Sequence, residues 1–538
     1  MTVIMQTADE FLATGTKFQL GFLETEKPHP ETRDLSRWAV EDLPRAISVL
    51  AGIDVLALEK MRAHLKSFQL LKTDIEKTWA AGNKVFLCGC GATGRLSLAL
   101  EYLHRERFAG KPEAESVVAF MAGGDVALVH SLEGFEDFPE YGARHLRELG
   151  FKAGDLLISC TEGGETPYVI GATEEAAIIN HAPDAHSSPR GPRPYFLYCN
   201  PDEVLRANVE RSQRIIDNPA IVKINLTVGP MALAGSTRMQ ASTVLQLAVG
   251  VALLSAQSLA LSRSENFEKA VGDMITELQT YLRDEAVAFL PGFIERESSE
   301  YRDGRFVLYG VETYPITVFT DTTERAPTFS LTPFSHREAD RLLKLKPSLS
   351  YVFLPETKFA GEAWKKMLLR SPRPLNWSEI DTRTEMRYLQ AFDFSEKARE
   401  FRAWLTSGAE HSDFVIRHDD GSLMWDFQDL QKGLITPSEG SPELHSLSAH
   451  LLLKMFLNIH STLIMGRLGR YRRNLMTWVY PTNGKLIDRA TRYIRTLLSE
   501  DGTQVSYEET VRALFDVKTR ITGNDSIVLA TYDALKGR

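Results

Sequence analysis

Residues 84–95 read KVFLCGCGATGR, and this stretch decides the fold. The apolar run 84–88 ends in glycines, a pattern that is typical of a short buried strand. Residues 95–107 follow with leucines on their apolar side and predict a helix. A strand, a glycine turn and a helix together begin a βαβ unit, so we expect an α/β fold.

Further apolar runs in the first half extend this pattern. The sequence predicts strands at 116–121, 156–160 and 193–199, with helices between them. Strands that alternate with helices form parallel sheets with right-handed crossovers. The first 80 residues are predicted to be helical apart from a proline-broken segment.

The second half repeats the outline weakly, with predicted strands at 306–309 and 351–354. Its apolar helix at 450–465 occupies the place that the uncharged stretch 241–261 holds in the first half. The stretch 241–261 is long enough to span a bilayer. An all-apolar helix of a large α/β domain is, however, more often buried in the core of the protein. We expect four segments: an N-terminal helical segment (1–60), a first α/β domain (61–270), a second, degenerate one (271–475) and a helical C-terminal segment (476–538).

The composition excludes several classes of protein. The chain has 538 residues, 43% hydrophobic and 25% charged, the balance of a soluble globular protein. A net charge of −9 argues against a nucleic-acid surface. Four cysteines are too few for a disulfide framework, and the first residues show no signal peptide, so we expect a cytoplasmic protein without membrane association.

The glycine turn at 89–95 is suited to binding an anion. Glycine lets the backbone approach closely, and the first turn of a helix offers free amides and a positive dipole end. Its candidate ligand-binding residues are Gly91, Ala92, Thr93, which adds a hydroxyl, and Gly94. The pattern also matches GxGxxG, so a dinucleotide and a sugar phosphate are both open, as is a turn that only packs a helix on a strand.

Two further loops resemble it in composition. Residues 159–167 read SCTEGGETP, with Thr161 and Gly163 as candidates, and 235–239 read GSTRM. Loops at the carboxyl ends of neighbouring parallel strands build one crevice, which favours a single anion site. Ser236 is either a further ligand or the N-cap of the helix that follows.

Two glutamates stand close together in the segment 131–137, which reads SLEGFED. Glu133 and Glu136 would share a face if this segment were helical. Surface glutamates are common, so their spacing alone does not indicate catalysis.

Taken together, these motifs resemble the sugar isomerase (SIS) domain family, and most closely the branch with N-acetylmuramic acid 6-phosphate etherase and the vertebrate glucokinase regulatory protein. The resemblance covers nearly the whole chain. It rests on residues 25–32, similar to TExxNPxT, 89–96 (GxGTSGRL), 122–124 (AGG), 133–137 (EGxED), 166–168 (TPY) and 235–239 (GSSRM).

The resemblance implies two tandem SIS domains, with parallel sheets in a flavodoxin-like three-layer α/β/α arrangement. Residues 321–329, DTTERAPTF, resemble the family element that carries a catalytic glutamate, here Glu324. Residues 482–486 resemble TNxKL, whose counterparts here, Asn483 and Lys485, would reach a sugar phosphate. The second half has GVET (310–313) where its own phosphate loop would be, so one composite site is expected, and a second, symmetric one would be inactive.

For an etherase, the family implies elimination of lactate from C3 of a ring-opened sugar and then addition of water. Glu136 and Glu324 would be base and acid, in an order left open, with no metal and no cofactor. A sensor that binds a fructose 6-phosphate type of ligand and controls a partner protein stays open, as does an aldose–ketose isomerase. Three departures from the etherase pattern are Met231, Gln240 and Glu165; the last replaces an arginine, and two orientations stay open for it, inward, where it would oppose an anion, or towards solvent.

Overall fold

The chain is described by a computed structural model for residues 7–132, 134–181, 189–336, 347–419, 422–435, 441–479, 481–521 and 525–537. Within these ranges it contains two five-stranded sheets, one in each half. The expected pair of α/β domains is therefore confirmed. The boundaries 61–270 and 271–475 stay predictions.

The first sheet is wholly parallel, in the order β2-β1-β3-β4-β5. Every residue of its first four strands is buried, as expected of strands covered on both faces. The sequence analysis did not identify β5, since Lys223 and Asn225 interrupt its apolar pattern. The strands are β1 (Val85–Gly89), β2 (Val117–Met121), β3 (Leu156–Cys160), β4 (Tyr195–Tyr198) and β5 (Val222–Asn225).

The helices of the first half include one that is buried along its whole length, α10. It ends at Ser255, earlier than the uncharged stretch 241–261, and Leu259 beyond it is 93% exposed. The interpretation of this stretch as a core helix is confirmed. The helices are α1 (Ala8–Thr14), α2 (Leu35–Glu41), α3 (Leu43–Met61), α4 (Leu65–Ala80), α5 (Ala92–Arg107), α6 (Pro139–Glu148), α7 (Pro167–Asn180), α8 (Asp202–Asn208), α9 (Glu210–Asp217), α10 (Gln240–Ser255) and α11 (Ser264–Thr280).

The second sheet has the order β10-β9-β8-β6-β7 and is mixed. Its strand β6 pairs in parallel with β7 and β8, but β8, β9 and β10 are antiparallel. The expectation of a wholly parallel second sheet is therefore wrong. Only two residues separate β9 from β10, and so short a connection can join only antiparallel strands. The first of them, Gln428, has φ +58°. The strands are β6 (Phe306–Val311), β7 (Ser350–Phe353), β8 (His411–Asp419), β9 (Ser422–Phe427) and β10 (Leu430–Ile435).

The two halves pack together through α10 and α18. A Cβ atom added at Gly250 of α10 would lie 2.7 Å from a methyl group of Leu447 of α18, so glycine here lets the two helices pack closely. In the described part of the chain, residues 442–467 form the one helix long and apolar enough to cross a membrane, and 94% of its apolar stretch is buried. The helices of this half are α12 (Asp284–Val287), α13 (Leu290–Arg302), α14 (Pro315–Phe329), α15 (Ala360–Leu368), α16 (Met386–Gln390), α17 (Ala398–Leu405) and α18 (His445–Arg467).

The C-terminal segment returns to the first half. Its first helix carries Arg489 and Arg492, which form ion pairs with the buried Glu26 at 2.6 and 2.9 Å. Glu26 belongs to the N-terminal motif at 25–32, so the two ends of the chain meet beside the first sheet. The segment contains α19 (Gly484–Glu500), α20 (Tyr507–Lys518) and α21 (Ile527–Lys536).

Candidate functional site

The glycine turn after β1 needs glycine at three positions for three reasons. Gly91 has φ +53° and directly precedes α5. A Cβ at Gly89 would lie 2.3 Å from the backbone of Thr93, and one at Gly94 would lie 2.5 Å from Met121. Because α5 begins at Ala92, earlier than predicted, Thr93 and Gly94 lie in its first turn, where the amide of Thr93 donates to the carbonyl of Cys90 at 3.1 Å.

Thr93 stabilises this turn from within. Its hydroxyl donates to the carbonyl of Cys90 at 2.8 Å and accepts from the amide of Cys90 at 2.9 Å. A threonine hydroxyl has one hydrogen to donate, so in this structure Thr93 does not offer it to an anion. The hydroxyl holds the shape of the loop instead.

The second loop is braced by the N-terminal motif. Thr161 and Thr166 share a hydrogen bond between their hydroxyls, 3.0 Å apart. The carbonyl of Gly163 accepts from the side chain of Asn200 at 3.0 Å, and Asn200 also bonds the backbone and hydroxyl of Thr25. Thr25, in the motif at 25–32, thus helps to position the loop at 159–167, which is far from it in sequence.

Glu165 does not face solvent, which decides between the two orientations that the sequence left open. It is 4% exposed and forms ion pairs with Arg211 at 2.5 Å and Lys485 at 3.0 Å. Burial opposes its charge, but Lys485 and Arg211 lower its pKa to about 2. The lysine expected to reach a phosphate is therefore held at this loop by a carboxylate.

The other two departures from the etherase pattern have structural roles here. Gln240 donates to the carbonyl of Pro230 at 2.8 Å. Met231 is fully buried, and its carbonyl accepts from the amide of His29 at 3.0 Å. Both therefore join backbone segments around the third loop.

The two candidate catalytic carboxyl groups approach the glycine turn from different directions. Glu136 lies beside it, with Oε2 3.6 Å from the Sγ of Cys90. Glu324 comes from α14 of the second half, and its Oε1 lies 3.8 Å from Nε of Arg95 on α5. Burial raises the pKa of Glu324, against the opposing effect of Arg95. Glu133 lies outside the described residues.

A buried ion pair fixes the helix that carries Glu324. Arg238 of the third loop contacts Asp321, one turn before Glu324, at 3.1 Å, and both side chains are at most 3% exposed. Asp321 also accepts from Arg325 at 3.0 Å. The sequence analysis quoted both motifs but missed this pairing, because nothing in either motif shows that they meet.

Each of the three loops carries a buried polar atom without a hydrogen-bond partner among the described residues, namely Nε of Arg95, Oε1 of Glu162 and Oγ of Ser236, and the third loop also carries Nε of Arg238. Ser236 does not cap α10, whose N-cap residue is Met239. Buried polar atoms are nearly always hydrogen-bonded, so four in these loops indicate a place for a polar ligand. Glu162 was not among the predicted residues, although the loop at 159–167 contains it.

Asn483 is the last of the candidate ligand-binding residues. Asn483 caps α19, since its side-chain oxygen accepts from the amide of Leu486 at 2.9 Å. In the second half, Tyr314 and Thr317 occupy the start of α14 and contact His450, the former ring to ring at 4.6 Å and the latter at 2.6 Å. These contacts tie the start of α14 to α18.

No group of three or more His, Cys, Asp or Glu side chains in the described ranges could hold a metal ion.

Comparisons with known proteins now bear on this geometry. Residues 66–177 match the model of the glucokinase regulatory protein N-terminal SIS domain. N-acetylmuramic acid 6-phosphate etherase from Rippkaea orientalis is 31% identical over 237 residues, 43% of this chain and 67% of that protein. This chain belongs to the sugar isomerase domain family.

Two further comparisons give a curated relative and a solved structure to which this chain is similar. The etherase from Synechococcus is 29% identical over 43% of this chain, and the match spans 65% of that relative's length. Tagatose-6-phosphate ketose/aldose isomerase from Escherichia coli superposes with a TM-score of 0.37 and 12% identity, covering 78% of this chain and 93% of that one.

Proposed function

We propose that this SIS protein binds a phosphorylated sugar in one composite site. The observation that carries the proposal is the set of unpartnered buried polar atoms in the three loops, two of which follow β1 and β3. These strands are parallel neighbours, and ligands of open α/β sheets bind outside the carboxyl ends of such strands. The relatives that are named for a sugar phosphate support the same ligand class.

The phosphate would bind at the start of α5, where the helix dipole and first-turn amides favour an anion. Ser236, with its unpartnered hydroxyl, and Lys485 would complete the contacts. The further ligand-binding residues that we propose are Gly91, Ala92, Gly94, Glu133, Thr161, Gly163 and Asn483, with Thr93 shaping the loop.

For the reaction we propose an etherase-like lyase with Glu136 and Glu324. Glu136 would remove the proton from C2, which is acidic because C2 neighbours the aldehyde of the open sugar. The C3–O bond then breaks, and the leaving lactate oxygen takes the proton of Glu324. Burial raises the pKa of Glu324, which favours the protonated form that an acid needs. Water adds to the resulting double bond, with hydroxyl to C3 and a proton to C2.

A sensor that controls a partner protein is the second candidate. The match of residues 66–177 to the regulatory-protein domain favours it, as does the ion pair between Glu165 and Lys485 in place of the arginine of the etherase pattern. Such a protein would bind the sugar phosphate without turnover.

The test is incubation with N-acetylmuramic acid 6-phosphate, with binding followed by calorimetry and lactate by a coupled assay. Binding with release of lactate supports the lyase, and binding of this ligand or of fructose 6-phosphate without lactate supports the sensor. If a folded protein binds neither, the proposed sugar-phosphate site is wrong.

A further inference from the structure

Glu162 lies in the second loop, directly between Thr161 and Gly163. Its side chain is 7% exposed, and its backbone carbonyl accepts from the amide of Cys199 at 3.0 Å. The backbone therefore fixes the residue at the carboxyl end of β3, near enough to Cys90 of the glycine turn to raise the pKa of that thiol.

One oxygen of the Glu162 carboxyl group makes no hydrogen bond. Its Oε1 atom is buried and has no hydrogen-bond partner among the described residues. Leaving a buried oxygen without a partner is unfavourable, so this atom is placed for a group that the free protein lacks.

The titratable groups near Glu162 belong to three parts of the fold. Glu324 belongs to α14 and Lys485 to α19. The thiols of Cys90, Cys160 and Cys199 lie at the carboxyl ends of β1, β3 and β4. Burial, assisted by Glu324, raises the pKa of Glu162 to about 8, although its own backbone amide, Lys485 and Thr237 oppose this. Glu162 is therefore mainly protonated at neutral pH.

We propose that Glu162 is a ligand-binding residue of this site, which donates a hydrogen bond from its neutral carboxyl group to an uncharged oxygen of the sugar. The inference rests on the proposed sugar-phosphate site and adds a residue to it. A protonated carboxyl group can donate, whereas a carboxylate can only accept. Ionisation of Glu162 would remove the donor and place a negative charge in a crevice that binds an anion.

Two properties follow from this assignment. Affinity for the sugar phosphate falls as the pH rises through about 8. Glutamine at position 162 keeps a donor but cannot ionise, so Glu162→Gln retains affinity and loses that alkaline decrease. Glu162→Leu lacks a donor and weakens binding by about tenfold, the value of one hydrogen bond.

The experiment measures affinity for N-acetylmuramic acid 6-phosphate and fructose 6-phosphate between pH 6.5 and 9 for the wild type, Glu162→Gln and Glu162→Leu. Glu174→Gln is the matched control, since Glu174 is on α7 and pairs with Arg214 at the surface. The inference is overturned if Glu162→Gln shows the same alkaline decrease as the wild type, or if Glu162→Leu binds as well as Glu162→Gln. No binding by the wild type at pH 6.5 would instead refute the proposed function, and this inference with it.

A ligand-free measurement checks the protonation state. The folded protein retains the proton of Glu162 between the ordinary pKa of 4.5 and about 8, while the unfolded chain releases it. Stability of the wild type should therefore fall relative to Glu162→Gln as the pH rises through this window. A difference in melting temperature that is constant from pH 5 to 8 would contradict a neutral Glu162.

Discussion

Arg95 of the first half and Glu324 of the second half lie 3.8 Å apart, across the boundary between the two α/β units. Arg95 also donates to the hydroxyl of Thr323 at 3.1 Å and to the carbonyl of Leu128 at 2.5 Å. The helix after the glycine turn therefore holds the carboxyl group that the other half supplies. In the proposed composite site, this contact would join the glycine turn of the first half to the carboxyl group of the second.

Glu324→Gln should abolish lactate release and leave sugar-phosphate binding within about threefold of the wild type, since an amide keeps the shape but cannot give up a proton. Lactate assays and calorimetry on the same preparation measure the two effects. If the wild type is a lyase, its activity should fall as the pH rises through the raised pKa of Glu324, where the acid form is lost. Full activity of the variant would remove Glu324 from the mechanism.

Thr93→Val should weaken binding of the sugar phosphate by about tenfold, because the loop loses two hydrogen bonds to Cys90. Calorimetric titration measures the change. Thr73→Val is the control, since its hydroxyl makes a comparable bond to the carbonyl of Gln69 within α4. Equal affinities for Thr93→Val and the wild type would show that the shape of this turn does not matter for binding.

Asp321→Ala should reduce the free energy of unfolding by about 3–5 kcal/mol, because it leaves Arg238 buried without its carboxylate partner. Chemical denaturation measures this loss. The control, Asp273→Ala, breaks an exposed pair with Lys269 and should cost at most about 1 kcal/mol. Similar losses for both variants would contradict a stabilising role for the buried pair.

Glu165→Gln should increase the affinity for a sugar phosphate, because Lys485 would no longer be neutralised at 3.0 Å. The ion pairs of Glu165 stabilise the protein above its unfolded pKa, and this contribution is lost as the pH falls towards about 2. The difference in stability between the wild type and Glu165→Gln should therefore shrink on acidification. Unchanged affinity would show that Lys485 does not contact the ligand.

The apolar runs made the first sheet predictable, while β5 and the antiparallel strands β8–β10 were missed. Strand β5 carries Lys223 and Asn225, and β8 alternates buried and exposed residues, so neither forms a continuous apolar run. The loops and the two glutamates were identified from their motifs. Glu162 was overlooked because burial of a carboxyl group cannot be inferred from its position in a glycine-rich loop.

The sequence by itself determined the α/β class, the glycine turn at 89–95 and the family resemblance, because these depend on local patterns of apolar residues, glycines and short motifs. Only the tertiary structure decided which charges meet: Glu165 with Lys485, Arg238 with Asp321 and Arg95 with Glu324. The partners in these pairs are separated by between 83 and 320 positions in the chain. Their protonation depends on burial and on opposite charges brought together by folding, which no local pattern contains.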